Sequence, residues 1–117
     1  MMKFQESRPI FMQIVDYIGE KIISGELKAE EPIPSVREMA VSMAVNPNTV
    51  VRAYERMTLT EIIINRRGVG YFVAPTALRK IKASRKNTFY EELLPQIKRE
   101  IKLLDISRED IEKELFD

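Results

Sequence analysis

The chain has 117 residues, of which 44% are hydrophobic, and it carries 19 Lys and Arg residues against 18 Asp and Glu residues. A chain of this length can bury about two thirds of its unfolded surface, enough for one modest core. The sequence contains no cysteine and no histidine. This excludes disulfides, thiolate metal sites, histidine-ligated zinc and a histidine general base. We therefore expect no enzymatic activity, no metal site and no cofactor.

The N-terminal residues 1–8 lack the apolar run of a signal peptide, and no stretch of the sequence approaches the length of a membrane span. A cytoplasmic location is therefore expected. The first predicted helix begins near Pro9 and runs to Ser24, and Gly25 is suited to end it. Its apolar face consists of Phe11, Ile14, Val15, Ile18 and Ile22. Residues 26–34, interrupted by two prolines, are predicted to form a linker.

Residues 35–57 predict a helix-turn-helix. Ser35 can begin the first helix as half of a capping box with Glu38. Asn46 can cap the second helix, with Pro47 at its first position, where the missing N–H is not needed. Apolar residues recur at helical spacing in both helices: Val36, Met39, Ala40 and Met43 in the first, and Val50, Ala53, Tyr54 and Met57 in the second. Two such stripes joined by a short turn can share one core only if the helices cross steeply.

The second of these helices has a polar outer face. Asn48, Arg52 and Glu55 lie opposite its apolar stripe, and Thr49 accompanies Asn48 in the first turn. Asparagine can bond adenine, arginine can bond guanine, and a helix N-terminus favours phosphate, so this face predicts insertion into a DNA groove. The alternative is that Asn46 only caps the helix and that Arg52 only pairs with Glu55.

A β-hairpin is predicted after the helix-turn-helix. Residues 62–64 and 71–73 are rich in β-branched and aromatic side chains, and Gly68 and Gly70 permit the positive φ angles of a turn between them. Arg66 and Arg67 then lie near the tip, where they can reach a phosphate or a minor groove. An isolated hairpin of this kind would more simply be a solvated turn. Its position directly after a helix-turn-helix favours a winged helix.

The charge distribution gives no global indication of nucleic-acid binding, since residues 1–75 contain nine basic and nine acidic side chains. A local positive field must therefore come from Arg37, Arg52, Arg66 and Arg67. A further basic cluster follows in residues 79–86. We predict that it forms a solvated helix face, with an additional phosphate contact as the alternative. Its members are Arg79, Lys80, Lys82, Arg85 and Lys86.

Residues 76–117 predict a helical tail. Pro95 is expected to start or kink one helix, and Ser107 with Asp110 can cap the last one, which carries Ile111, Leu115 and Phe116. Apolar residues at spacings of three and four form a row that we call the tail stripe: Phe89, Leu93, Ile97, Ile101 and Leu104. So short a tail cannot enclose this stripe, so we expect a second copy of the chain to cover it across a two-fold axis. The alternative is that the stripe folds back on its own winged helix.

Several fixed strings of residues resemble the GntR family of bacterial transcription regulators, and the resemblance covers residues 9–73 without a gap. The strings are residues 9–14, 23–27, 33–40, 45–50, 52–55 and 66–73. The Val-Asn-Pro-Asn-Thr-Val string at 45–50 and the short tail resemble the YtrA subfamily. The resemblance implies a winged-helix dimer that binds an inverted-repeat operator, usually as a repressor and often of transporter operons. It also implies DNA contacts from Arg37, residues 46–52 and the hairpin at 66–68, including Gly68.

Three positions depart from the family pattern, which commonly has glycine there: Glu30 in the linker, Ala44 in the turn between the helices, and Glu61 before the first strand. If the backbone at these positions is left-handed, each residue costs about 1 kcal/mol. We expect the fold to survive. Glu61 could alter the angle at which the hairpin leaves the domain.

The predicted architecture is α+β and mostly α, with a winged helix-turn-helix DNA-binding domain in residues 1–75 and a helical dimerisation tail in residues 76–117. The predicted DNA contacts also include Ser35, Asn46 and Pro47. The predicted function is a sequence-specific regulator that binds double-stranded operator DNA as a homodimer, with an effector of unknown identity. The alternative function is a winged helix used for protein or RNA contact.

Overall fold

The computed structural model describes residues 8–117. Residues 1–7, on which the expected lack of a signal peptide largely rests, lie outside this range. The elements follow the order α1 (Ile10–Ile23), α2 (Val36–Met43), α3 (Pro47–Leu59), β1 (Ile63–Arg66), β2 (Gly70–Val73), α4 (Ala77–Thr88), a π-helical turn (Phe89–Leu93), α5 (Leu94–Leu103) and α6 (Arg108–Phe116). The predicted fold class, a mostly helical winged helix, is confirmed.

The chain forms two compact units, Met1–Lys82 and Ala83–Asp117. The first unit therefore extends beyond Pro75, where the sequence suggested a boundary. The physical reason is that Ala77 is fully buried in the core of the first unit and that Ile81 packs against the same core. The start of α4 thus belongs to the winged helix.

Helix α1 supplies one apolar face of the core. Ile14, Ile18 and Ile22 are buried along one side, while Phe11 and Val15 are partly buried beside them. Gly25 follows the helix with φ = 88°, a conformation that a residue without Cβ adopts without strain. The helix bounds and the apolar face predicted from the sequence are confirmed.

The helix-turn-helix begins both of its helices as predicted. The Ser35 hydroxyl accepts from the Glu38 N–H at 3.1 Å, and the Glu38 carboxylate accepts from the Ser35 N–H at 3.0 Å. Asn46 Oδ1 accepts from the Asn48 N–H at 2.8 Å, with Pro47 at the first helical position. The four stripe residues of α3 are all buried: Val50, Ala53, Tyr54 and Met57.

The wing, which we define as residues 63–73, is an antiparallel pair of strands. Its register joins Ile63 to Val73 and Arg66 to Gly70. Because side chains alternate along a strand, Ile63 and Val73 face the core and are almost completely buried, whereas Arg66 points to the other face. Gly68 and Gly70 both have positive φ, of 76° and 141°, as the predicted turn requires.

The linker between α1 and α2 pairs with the wing. The Glu30 N–H donates to the Val73 carbonyl at 2.8 Å, the Val73 N–H donates to the Glu31 carbonyl at 2.9 Å, and the Ile33 N–H donates to the Tyr71 carbonyl at 3.0 Å. β2 therefore has hydrogen-bonded neighbours on both sides, β1 and the linker. The sequence predicted only a connecting segment here.

The three positions where glycine is common in the family are left-handed in this chain. Glu30, Ala44 and Glu61 have φ angles of 67°, 54° and 61°. These turns therefore have the left-handed geometry that glycine adopts without strain, but with residues that bear a Cβ, at a cost of about 1–2 kcal/mol each. The expectation that the fold survives these changes is confirmed.

The second unit consists of short helices. A π-helical turn immediately precedes α5, and Pro95 stands in the first turn of α5. Ser107 caps α6 by accepting from the Asp110 N–H at 3.1 Å. Both features lie where the sequence predicted a helix start or kink, because proline and serine act through the backbone groups next to them.

Candidate nucleic-acid interface

The N-terminal turn of α3 carries exposed polar groups. Asn46, Pro47 and Asn48 are exposed and Thr49 is half-buried. The Asn46 side chain is occupied as a cap, whereas Asn48 presents its amide to solvent. A helix start of this kind offers backbone N–H groups and a positive dipole end to a phosphate, next to side chains that can bond base edges.

Arg52 is exposed on the same helix, and its guanidinium stacks on an aromatic ring. The guanidinium carbon lies 4.1 Å from the centroid of the Phe11 ring. Within residues 8–117, no ion pair or hydrogen bond connects Arg52 to Glu55. The alternative in which Arg52 only serves an intrahelical ion pair therefore has no support, and its N–H donors are available to a ligand.

The start of α2 supplies a third group. Arg37 is exposed in the first turn of the helix. The Ser35 hydroxyl accepts from the Glu38 N–H, and its one proton can be donated either to the Glu38 carboxylate or to a phosphate. The hydrogen bond from the Ser35 backbone, followed by that from its side chain, holds the pKa of the Glu38 carboxyl below its ordinary value.

A buried tyrosine links the two helices of the helix-turn-helix. The Tyr54 hydroxyl donates to the Pro34 carbonyl at 2.7 Å, directly before the α2 cap. Its ring meets Tyr71 of the wing edge-on, with centroids 4.9 Å apart. Burial raises the pKa of the Tyr54 phenol well above its ordinary range, so the hydroxyl keeps the proton that it donates. This side chain connects α3 to both the start of α2 and the wing.

The two arginines of the wing have different surroundings. The Arg66 guanidinium lies 4.5 Å from the Phe72 ring centroid and 3.9 Å from the Glu30 carboxylate. Arg67 and Gly68 are exposed at the turn. In the part of the chain that the structure describes, Arg67 makes no ion pair or ring contact. Arg67 therefore has the greater conformational freedom of the two.

The basic cluster at 79–86 is partly neutralised. The Lys80 ammonium forms an ion pair with the Glu61 carboxylate at the base of the wing. The hydrogen bond and the charge of Lys80 lower the pKa of the Glu61 carboxyl. Arg85 also has an interaction partner. Because of these interactions, fewer side chains of the basic cluster are available to contact DNA phosphates than the sequence suggested.

The tail stripe is largely uncovered in the single chain. Leu104 has 63% of its surface exposed, Leu93 47% and Phe89 41%. Ile97 and Ile101 are half-buried.

Three residues near the candidate site were not assigned to it from the sequence: Phe11, Phe72 and Glu30. The strand alternation that places Arg66 and Phe72 on one face could have indicated their contact. Nothing local to Phe11 or Glu30 could have done so, because their partners are distant in the chain. Among residues 8–117, no group of side chains could hold a metal ion, and no helix has the length and apolar character needed to cross a membrane.

Comparisons with known proteins agree with this geometry. Residues 11–73 match the model of the family described as bacterial regulatory proteins, gntR family. The uncharacterized regulator YhcF of Bacillus subtilis is 38% identical over 93% of this chain and 88% of its own length. The transcriptional repressor YtrA of the same species is 34% identical over 87% of this chain and 72% of its own length. A GntR family regulator from Listeria monocytogenes superposes with a TM-score of 0.73 at 34% identity, covering 92% of this chain and 93% of the other.

Proposed function

The chain belongs to the GntR family of bacterial transcription regulators, in its YtrA-like branch, and we propose that it represses transcription by binding an inverted-repeat operator as a homodimer. The observation that carries the proposal is the pairing of an exposed polar α3 start with an arginine-bearing wing in one winged helix. α3 would read bases in the major groove while the wing contacts the backbone or minor groove.

The chemistry of the side chains indicates which of them would contact bases and which would contact phosphates. Asn48 and Arg52 carry groups that discriminate bases, and we assign them sequence reading. Ser35, Arg37, Arg67 and the α3 N-terminus offer hydroxyl, charge and N–H groups, which suit phosphates. Asn46 and Pro47 shape the helix start, and Gly68 lets the wing turn approach the duplex closely.

The homodimer is supported by the exposed tail stripe. A second tail would cover Phe89, Leu93 and Leu104, and a two-fold axis would set two α3 helices about one DNA turn or a multiple of it apart. Any small-molecule effector would bind between the two tails, since one tail is too short to enclose a metabolite. Such a regulator would act in the bacterial cytoplasm, where its operator is.

The other candidate is a winged helix for protein or RNA contact, and it is less favoured because the exposed apolar residues of α3, Val51 and Leu59, lie at the flank and the end of the helix and form no central anchor. The outer face of α3 offers Asn48, Arg52 and Glu55 instead. No feature of the interface requires a catalytic role, and we propose none.

The test is selection of bound fragments from the source genome at low ionic strength, followed by salt titration of the recovered duplex. We expect an inverted repeat and an affinity that falls steeply with salt. The double variant Arg66→Ala, Arg67→Ala should recover far fewer fragments. A purified chain that binds no duplex at low ionic strength would overturn the proposal.

A further inference from the structure

Arg52 is the candidate base reader whose side chain is already held in the DNA-free chain. Its guanidinium carbon lies 4.1 Å from the Phe11 ring centroid, a shorter distance than the 4.5 Å between Arg66 and Phe72. Phe11 belongs to the first turn of α1 and is partly buried against the core. Its ring is therefore a fixed platform, while the arginine that rests on it is exposed.

A stacked guanidinium keeps its in-plane donors available. The Phe11 ring lies against the guanidinium carbon, and the five N–H bonds point along the edges of the planar group, where a guanine O6 and N7 can accept them. No carboxylate within residues 8–117 competes for those donors. The stack thus restricts the rotation of a long side chain without using its hydrogen-bonding capacity.

We propose that Phe11 is a positioning residue for DNA recognition: its ring holds the Arg52 guanidinium in the orientation in which it donates to a base. The proposal rests on the proposed function above. Immobilising a flexible side chain on binding costs about 0.5–1.5 kcal/mol, and a side chain already held avoids part of that cost. Arg67, which contacts no ring, suits a phosphate, because a phosphate requires charge more than orientation.

The experiment compares binding of the full chain to the duplex most often recovered in genomic selection and to a random duplex of equal length. Phe11→Leu keeps the apolar contact with the core but removes the aromatic face. We expect it to weaken binding to the selected duplex about two- to tenfold and to leave the random duplex unaffected. Phe11→Tyr, which keeps the ring, should bind as the wild type does.

A double-variant cycle separates positioning from general destabilisation. In an Arg52→Ala background, Phe11→Leu should cause no further loss, because the side chain that Phe11 positions is gone. Val15→Ala is the matched control, since Val15 is another partly buried residue of α1 that packs against the core and it offers no ring to Arg52. This control should lower the free energy of unfolding while keeping the preference for the selected duplex.

The possible results are distinguishable. Equal losses on both duplexes for Phe11→Leu, or a loss that persists in the Arg52→Ala background, would overturn the proposal. If Arg52→Ala leaves discrimination intact, the positioning role is wrong although the chain remains a DNA-binding regulator. If the wild type binds neither duplex, the proposed function fails.

Discussion

The carboxylate of Glu30 lies 3.9 Å from the guanidinium of Arg66, which joins the α1–α2 linker to the outer face of the wing. Both side chains are partly exposed, so the pair contributes little to stability. The expected effect of this ion pair on DNA binding is larger than its effect on stability. In the proposed DNA complex, the Glu30 carboxylate would compete with the phosphates for Arg66 and would repel them, whereas the family commonly has glycine at this position.

Glu30→Gln should therefore strengthen DNA binding. We expect about a two- to fivefold gain on selected and random duplexes alike at low salt, since an exposed ion pair of up to about 1 kcal/mol is released. The measurement is fluorescence anisotropy. Glu26→Gln is the matched control: it removes the same charge, but the partner of Glu26 is Lys21, which is not a candidate site residue. An equal gain from both variants would show only a net-charge effect.

Arg52 and Arg67 should have separable roles. Arg52→Ala is expected to weaken binding to the selected duplex by about 1–3 kcal/mol with little change on random DNA, because a base contact is lost. Arg67→Ala should weaken binding to every sequence and reduce the salt slope by about 1. Titrations at several salt concentrations distinguish the two effects. Equal losses on both duplexes for Arg52→Ala would contradict its role as a base reader.

Ala44→Gly should stabilise the winged helix. Ala44 ends α2 with φ = 54° and ψ = 45°, a conformation that costs an L-residue about 1–2 kcal/mol. Glycine removes that strain but adds about 0.4–1 kcal/mol of unfolded-state entropy. The expected net gain is about 0.5–1 kcal/mol in urea unfolding. Ala40→Gly, inside the same helix, should instead destabilise by about 1 kcal/mol or more, and a destabilised Ala44→Gly would contradict the strain argument.

Acid should weaken the capping box of α2. The Ser35 N–H and hydroxyl lower the pKa of Glu38 in the folded chain, so its stabilising contribution is present above the unfolded value of 4.5 and is lost as pH falls below it. The stability difference between the wild type and Glu38→Gln should therefore be largest near neutral pH and shrink in acid. Glu55→Gln is the control, since the side chain of Glu55 forms no hydrogen bond or ion pair within residues 8–117. A difference that does not vary with pH would contradict this role.

Disrupting the tail stripe should dissociate the proposed dimer. Ile97→Asp places a charge in the middle of the stripe, so sedimentation at micromolar concentration should show a monomer, and operator binding should weaken strongly. Gln96→Asp, in the same helix but outside the stripe, introduces an identical charge at an exposed polar position and should remain dimeric. A wild-type chain that sediments as a monomer would contradict the proposal that the tail stripe forms a homodimer interface.

Local chemistry explains which features could be predicted from the sequence. The caps at Ser35 and Asn46 depend on backbone groups two or three residues away, and the buried faces depend on helical spacing. The positions of Glu30, Ala44 and Glu61 were recognisable only because family members commonly have glycine there. The pairing of the linker with β2 and the stack of Phe11 on Arg52 arise from tertiary packing. No periodicity or spacing within either segment encodes those contacts.

The linker between α1 and α2 has a mechanical consequence. A two-stranded hairpin held only at its base could bend freely, because two strands alone are marginally stable in water. Here the backbone of linker residues 30–33 is hydrogen-bonded along β2. This pairing fixes the wing to the segment that leads directly into α2. The wing turn that carries Arg67 should consequently approach DNA at a fixed angle. A variant that prefers a different operator sequence would then arise by substitution of side chains and not by a change in the tilt of the wing.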